Sequence, residues 1–437
     1  MRAAAAWVVE RTLASSAPVD GFLAGVLPRF DERDQALLRE LVLGTLRWCR
    51  RLDHVITAAS DRPFADIEPA LRPLLRVATY QLLFLDRIPS YATVDEAVDQ
   101  ARAATHRGGA SFVNAVLRRI GRDRSLAAWP VEGRDRVRRA AIEWSHPEFL
   151  VERWANRFGW ERTLELLEVN NRPKRMQLLA FRDKGGRELL AENLIDEGLM
   201  VEPSRLSPLG MTVVSGNVLE TRAFRDGECY VQDEVSQVVA LLPPPEPGER
   251  VLDVAAAPGG KTFALAAWEP TIRPLLLDLD LARLDVLRAN LERLGRESWP
   301  VVAADALHPC LGATFDRVVA DLPCSGTGTL RKHPEIKWRL GRDEVDRLAT
   351  VQTRILDAAA PLVAEGGHLL VLTCSLEQEE NEDVVDAFLD RVEGWQRVAL
   401  EEALPPAWAV GIEAPGRWRL LPGDDHDGFT AHVLRRR

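Results

Sequence analysis

The sequence has little cysteine: five residues in 437, at positions 49, 229, 310, 324 and 374, with no C-x-x-C pair among them. An odd, irregularly spaced set supports neither a disulfide framework nor a cysteine-rich zinc site, so a reducing, cytoplasmic setting and no bound metal are expected. No uninterrupted apolar run approaches the roughly 18 to 20 residues of a membrane span, which argues against a membrane protein. The opening "MRAAAAWVVERTLASS" meets charge too early for a secretory signal and reads as an amphipathic first helix. Lysine is missing from residues 1 to 145, which carry 22 arginines against 18 acidic residues. The remainder holds 34 basic against 48 acidic residues, so the net charge of -10 conceals a basic first third. Its arginines cluster in "RWCRRLDH", "NAVLRRIGRDR" and "GRDRVRR", a pattern that suits a phosphate-binding face as well as it suits solvated helix faces.

What is present is enough apolar residue, 46%, to bury more than one core. At roughly 100 to 200 residues per domain the length predicts two or three domains. Residues 1 to 140 read as all-α: "DERDQALLRELVLGTLRWCRRLDHVITAA" places Leu37, Leu38, Leu41, Val42, Leu46 and Leu52 at helical spacing, and Thr93 resembles an N-cap before an acidic first turn. Residues 141 to 230 read as linker helices followed by a small α/β unit. The "PPPEPGE" at 243 to 249 is either a domain linker or a rigid turn. From 250 onward strands and helices alternate, which predicts a parallel, doubly wound α/β sheet in a third domain over 231 to 437.

In such sheets ligands bind beyond the carboxyl ends of the strands. Asp253, Asp278, Asp305, Asp321 and Cys374 end successive apolar runs and so converge on one crevice. The turn "AAAPGGKT" nearly fits the phosphate-cradling G-x-x-x-x-G-K-T, but Ala255 occupies the place of its first glycine, which counts against an NTPase. The other reading is a nucleoside cofactor over a tight strand-to-helix turn, with Gly259 and Gly260 admitting close approach, Asp278 accepting from ribose hydroxyls and Asp305 facing the base. Cys49, Cys229 and Cys310 read as small buried hydrophobes. Cys374 differs: Ser375 and Gln378 have the form of a capping box, so a helix N-terminus beside the thiol would favour thiolate, against the opposing charges of Glu377, Glu379 and Glu380.

The motifs "LDVAAAPGGKT", "LDLDLARLDVLRANLERLG", "DRVVADLPCSGTGTLRKHPEIKW" and "LLVLTCSLEQEENEDVV" resemble, in order, those of the RNA (cytosine-5)-methyltransferases, the family of the bacterial RsmB (Sun/Fmu) type and the eukaryotic NOP/NSUN proteins. "RDQALLRELVLGTLRWCRRLDHVI" and "ATVDEAVDQARAATHRGGASFVNAVLRRI" are similar to the NusB-type RNA-binding domain of RsmB proteins. The resemblance implies an all-α NusB-like domain, an RRM-like middle region and a Rossmann-like methyltransferase domain, in a monomer that uses S-adenosyl-L-methionine on 16S ribosomal RNA, at cytosine 967 in the usual numbering. It also implies that Cys374 attacks, that Cys324 assists release, and that Asp321 contacts the cytosine edge. Cofactor contacts are implied at Ala255, Ala256, Ala257, Pro258, Gly259, Gly260, Lys261, Asp278, Asp305 and Asp321. Two thiols are what the chemistry asks for, because C5 of cytosine is unreactive until a thiolate adds to C6, and the adduct must afterwards be undone. Lys332 and Lys337, among the few lysines of the second half, are expected to touch substrate.

Other readings differ in what they use. A DNA cytosine-5-methyltransferase would attack with the Pro-Cys thiol and lacks the helical domain; a non-catalytic RNA-binding factor leaves both thiols and the aspartate series idle. The same chemistry on 23S ribosomal RNA or tRNA would require no change in these motifs.

Overall fold

The computed structural model describes residues 1–105 and 107–437, with the side chains of residues 107, 402 and 403 outside that description. The chain forms two compact units, Met1–Arg172 with Leu330–Arg339, and Pro173–Thr329 with Leu340–Arg437.

The first unit is helical. Its longest helix, Glu32–Ser60, starts at Asp31, whose side chain accepts from the Asp34 amide at 2.9 Å and so satisfies one of the orphan donors of the first turn. The helical spacing noted above is its buried stripe: Leu38, Leu41, Val42, Leu46 and Leu52 are wholly enclosed. Thr93 is not a cap. The helix Ser90–Ala104 begins after Pro89, and Thr93 is buried inside its first turn. Helices Arg136–Glu143, Glu148–Phe158 and Trp160–Val169 belong to this unit too, which runs to residue 172.

The second unit opens with a four-stranded antiparallel sheet, β1 (Gln177–Ala180), β2 (Met200–Pro203), β3 (Gly210–Ser215) and β4 (Cys229–Val231), ordered β2-β3-β1-β4. Helices Gly186–Asp196 and Arg222–Arg225 complete a βαββαβ arrangement of the ferredoxin-like kind.

The large sheet follows, with β5 (Arg250–Asp253), β6 (Arg273–Asp278), β7 (Val301–Ala303), β8 (Phe315–Asp321), β9 (Val363–Thr373), β10 (Trp395–Arg397), β11 (Ile412–Ala414), β12 (Arg417–Leu420) and β13 (Phe429–Arg436). Their order is β11-β12-β13-β9-β8-β5-β6-β7, with β10 beside β13. The five strands from β7 to β9 are parallel, and β13, β12, β11 and β10 add antiparallel partners, so the sheet is mixed rather than parallel throughout. The apolar runs of β5, β8 and β9 are continuous because these central strands are covered on both faces.

The proline-rich stretch before β5 is a turn within this unit. Arg317 on β8, 1% exposed, donates to Glu249 at 2.7 Å and to the Pro243 carbonyl at 2.8 Å, tying the turn to the sheet.

Candidate active site

Chain order reverses between β5 and β8, and that is where a crevice opens at the carboxyl edge of a doubly wound sheet. The turn after β5 is held between its neighbours: the Ala256 amide donates to the Leu277 carbonyl at 2.7 Å and the Ala257 amide to Asp278 Oδ2 at 3.1 Å. Gly259 has φ +112, and a Cβ there would stand 2.2 Å from the Phe263 ring and 3.0 Å from Leu287. Glycine therefore lets the helix Gly260–Trp268 begin directly against the strand end.

Lys261 does not point where a phosphate would need it. Its Nζ donates to Asp321 Oδ2 at 2.8 Å and lies 4.9 Å from the centre of the Phe429 ring, which disposes of the NTPase reading on geometry as well as sequence. Asp253 is buried beneath, accepting from Thr262 Oγ1 at 2.8 Å. Burial pushes its carboxyl up to about 7, assisted by the nearby Asp321 charge and opposed by the Thr262 hydrogen bond. Asp278, ending β6, also accepts from the Asp280 amide at 3.1 Å and lies 3.5 Å from the Arg283 guanidinium, which reaches the Ala257 carbonyl as well. Asp305, two residues past β7, accepts from the Leu307 amide at 2.9 Å and remains partly exposed. A carboxylate has about four lone-pair sites, so Asp278 and Asp305 keep acceptor capacity for hydroxyls and an amine. Three carboxylates at successive strand ends, around a turn that only glycine permits, suit a cationic nucleoside cofactor.

The two thiols meet. Cys324, on the loop after β8, and Cys374, immediately after β9, place their sulfurs 3.4 Å apart, both half-buried. Backbone contact brings their loops together: the Gly328 amide donates to the Cys374 carbonyl at 2.8 Å, and the Gly428 amide to the Gly328 carbonyl at 2.8 Å. A Cβ at Gly328 would come within 2.3 Å of the Gly428 oxygen. The hydrogen bond to Cys374, then burial, and the charges of Cys374, Glu380 and Asp321 all raise the Cys324 thiol far above its ordinary value.

No helix starts beside Cys374. The helix anticipated there is Glu382–Arg391, which begins after Asn381, and residues 375 to 380 form a loop. Ser375 instead accepts from the Glu377 amide at 2.9 Å and donates to Glu380. Lys337 is 1% exposed and donates to the Arg47 carbonyl at 2.7 Å and Asn171 Oδ1 at 3.2 Å inside the helical unit, so it offers substrate no ammonium; Lys332 is exposed. Cys49 and Cys229 are buried, with thiols pushed up to about 12 by burial, whereas Cys310 is exposed and not the buried hydrophobe expected. Sequence reasoning passed over Arg283, Thr262 and Gln352, which donates to the Pro323 carbonyl at 2.9 Å, and took Glu380 only as a charge opposing thiolate at Cys374. Only the place of Arg283 in the first turn of the helix that follows Asp278 was a usable signal. Among the described residues no three His, Cys, Asp or Glu side chains gather as a metal site, and no helix is long and apolar enough to cross a membrane.

Comparison with known proteins gives three family matches: 16S rRNA methyltransferase RsmB/F over residues 239–435, the NusB family over 5–122, and the RsmF/B-like ferredoxin-like domain over 146–218. A probable ribosomal RNA small subunit methyltransferase B of Bacillus subtilis is 34% identical, covering 93% of this chain and 91% of its own length. Ribosomal RNA small subunit methyltransferase B of Pseudomonas syringae pv. tomato is 35% identical, covering 98% and 95%. The crystal structure of a methyltransferase homologue from Pyrococcus horikoshii superposes with a TM-score of 0.59 at 25% identity, covering 70% of this chain and all of that one.

Proposed function

Because the chain belongs to the RsmB/F family of 16S rRNA methyltransferases, we propose that it methylates C5 of a cytosine in 16S rRNA through a covalent adduct on Cys374. It is an rRNA methyltransferase, and its cofactor is S-adenosyl-L-methionine, which supplies a methyl group on a sulfonium. The turn from Ala255 to Lys261 and the carboxylates of Asp278, Asp305 and Asp321 are the residues that would hold it. The observation that carries the adduct chemistry is the pair of sulfurs 3.4 Å apart at the carboxyl edge, beside the Lys261 and Asp321 pair.

The Cys374 sulfur adds to C6 of the extruded base and makes C5 nucleophilic toward the methyl group that the bound cofactor would supply, its sulfonium leaving as a thioether. Asp321, steadied by Lys261, is placed to hydrogen-bond the cytosine edge as charge develops. When water accepts the C5 proton, the double bond returns and the C6–S bond breaks, Cys374 departing as thiolate, which the Cys324 thiol stabilises by donating a hydrogen bond. The arginine-rich helical unit supports this reading by offering phosphate contacts to flanking RNA. The proposed target is cytosine 967, as the resemblance to the RsmB type implies, and free thiols call for a reducing compartment such as cytoplasm.

The test is methyl transfer from labelled cofactor to 16S rRNA fragments, with the modified base mapped. Cys374→Ala is expected to abolish both methylation and adduct, while Cys324→Ala lowers turnover by about 100-fold or more and leaves RNA covalently attached. Activity surviving loss of Cys374 would reverse the assignment, and a product found only in 23S rRNA or tRNA would relocate the substrate.

A further inference from the structure

We propose that Glu380 is a positioning residue, a latch that joins the Cys324 loop to the Cys374 loop and thereby sets the distance between the two sulfurs. This rests on the reading of the thiols as partners on one base, though the latch itself is a property of the protein alone. Ser325 directly follows Cys324 and Ser375 directly follows Cys374. The Glu380 carboxyl takes the Ser325 amide on Oε1 at 2.7 Å and both serine hydroxyls on Oε2, and the hydroxyls are 3.1 Å from each other. One side chain thus grips the residue after each thiol.

Burial and charge make this more than ordinary packing. Glu380 is 1% exposed, and among the described residues no basic side chain pairs with it. A buried carboxylate without a cation is costly, and an apolar side chain would fill the space with less penalty. What an apolar residue lacks is the ability to bond three donors from two loops. The surroundings of the carboxyl point the same way, since the Ser325 amide and both serine hydroxyls converge on it from the two loops. Burial pushes that carboxyl up to about 7, with Glu377 adding to the shift and the serine hydrogen bonds opposing it. Asn381 completes the fastening, its Nδ2 donating to the Ser375 and Glu377 carbonyls at 3.2 and 2.6 Å while its Oδ1 accepts from Thr373 Oγ1. The Cys374 loop is thus braced internally; the Gly328 amide on the Cys374 carbonyl and the Leu376 amide on Thr327 Oγ1 at 2.9 Å also join the two loops, and Glu380 is the tie made at the residues that directly follow the two thiols.

The experiment uses the full chain without RNA. Diamide, which accepts two electrons and two protons as two thiols join, is added to the protein, and the rate of the Cys324–Cys374 disulfide is read by mass spectrometry. Cofactor affinity by calorimetry serves as the control for folding. Glu380→Ala is expected to slow that disulfide by about tenfold with cofactor affinity unchanged, and Glu380→Gln, which can still bond both loops, to stay within about threefold of wild type. In methyl transfer, Glu380→Ala should lower kcat and leave the KM for cofactor alone. An unchanged disulfide rate in Glu380→Ala overturns the latch. Should Glu380→Ala fail to bind cofactor, Ser325→Ala decides: a severalfold slower disulfide supports the latch and an unchanged one overturns it. Because the disulfide needs no RNA, failure of the methylation reading would leave this outcome standing.

Discussion

Gly259 and Asp253 show how single residues set the terms for the cofactor crevice. With φ +112 and the Phe263 ring 2.2 Å from a hypothetical Cβ, Gly259→Ala is expected to destabilise the protein by about 1 to 3 kcal/mol and to shrink the upward shift in melting temperature that cofactor produces. Asp253 governs pH dependence. A carboxyl raised from 3.8 to about 7 keeps its proton in the folded state over a range where the unfolded chain has released it. Its contribution to stability is therefore full below the lower value and is lost as pH rises through about 7; the raised Glu380 carboxyl acts in the same sense. Urea midpoints measured at about pH 5 and about pH 8 should accordingly fall less in Asp253→Asn than in wild type. Neither behaviour was legible in the sequence. Asp253 looked like the other strand-end aspartates, and only enclosure separates it from the partly exposed Asp305.

Among the elements, β8 and β9 bring the two thiols together because they lie side by side with their carboxyl ends level: Asp321 pairs with Leu372 across the ladder, and one thiol follows each strand. The alternation of strands and helices made both strands readable, and the sheet order decided that they are neighbours. The antiparallel edge was not readable, since β13 is recruited from 56 residues beyond β9 by pairing that leaves no local signal. The turn before β5 is pinned to β8 by a buried ion pair, so Arg317→Met would leave Glu249 enclosed without its cation. A loss of about 3 to 5 kcal/mol is expected in chemical denaturation. A flexible linker in that place would tolerate the change.

In the whole molecule, the chain leaves the catalytic unit at Thr329 and returns at Leu340, giving ten residues to the helical unit. Within that unit Ile336 and Lys337 are buried and the Trp338 indole donates to the Leu46 carbonyl. A fragment of residues 173–437 would expose this segment, and it is expected to bind hydrophobic dye and to be cut first between 330 and 339 in limited proteolysis, while the full chain resists both. The basic first third inside an acidic chain makes a further expectation: RNA affinity should fall steeply with salt, by about 0.7 to 0.9 in log K per phosphate contact for each unit of log salt.

By itself the sequence determined the helical first third, the alternating strands and helices after 250, the glycine turn, the aspartates at strand ends and the two thiol motifs. Each of these is written in local spacing and residue chemistry. Tertiary structure decided what depends on residues far apart in the chain: the mixed edge of the sheet, the burial of Lys337, the absence of a helix start beside Cys374, and the enclosure of Glu380 between two serines. The physical reason is that periodicity reports which face of an element is apolar, whereas desolvation and hydrogen-bond partnership arise only when separate elements close around a side chain.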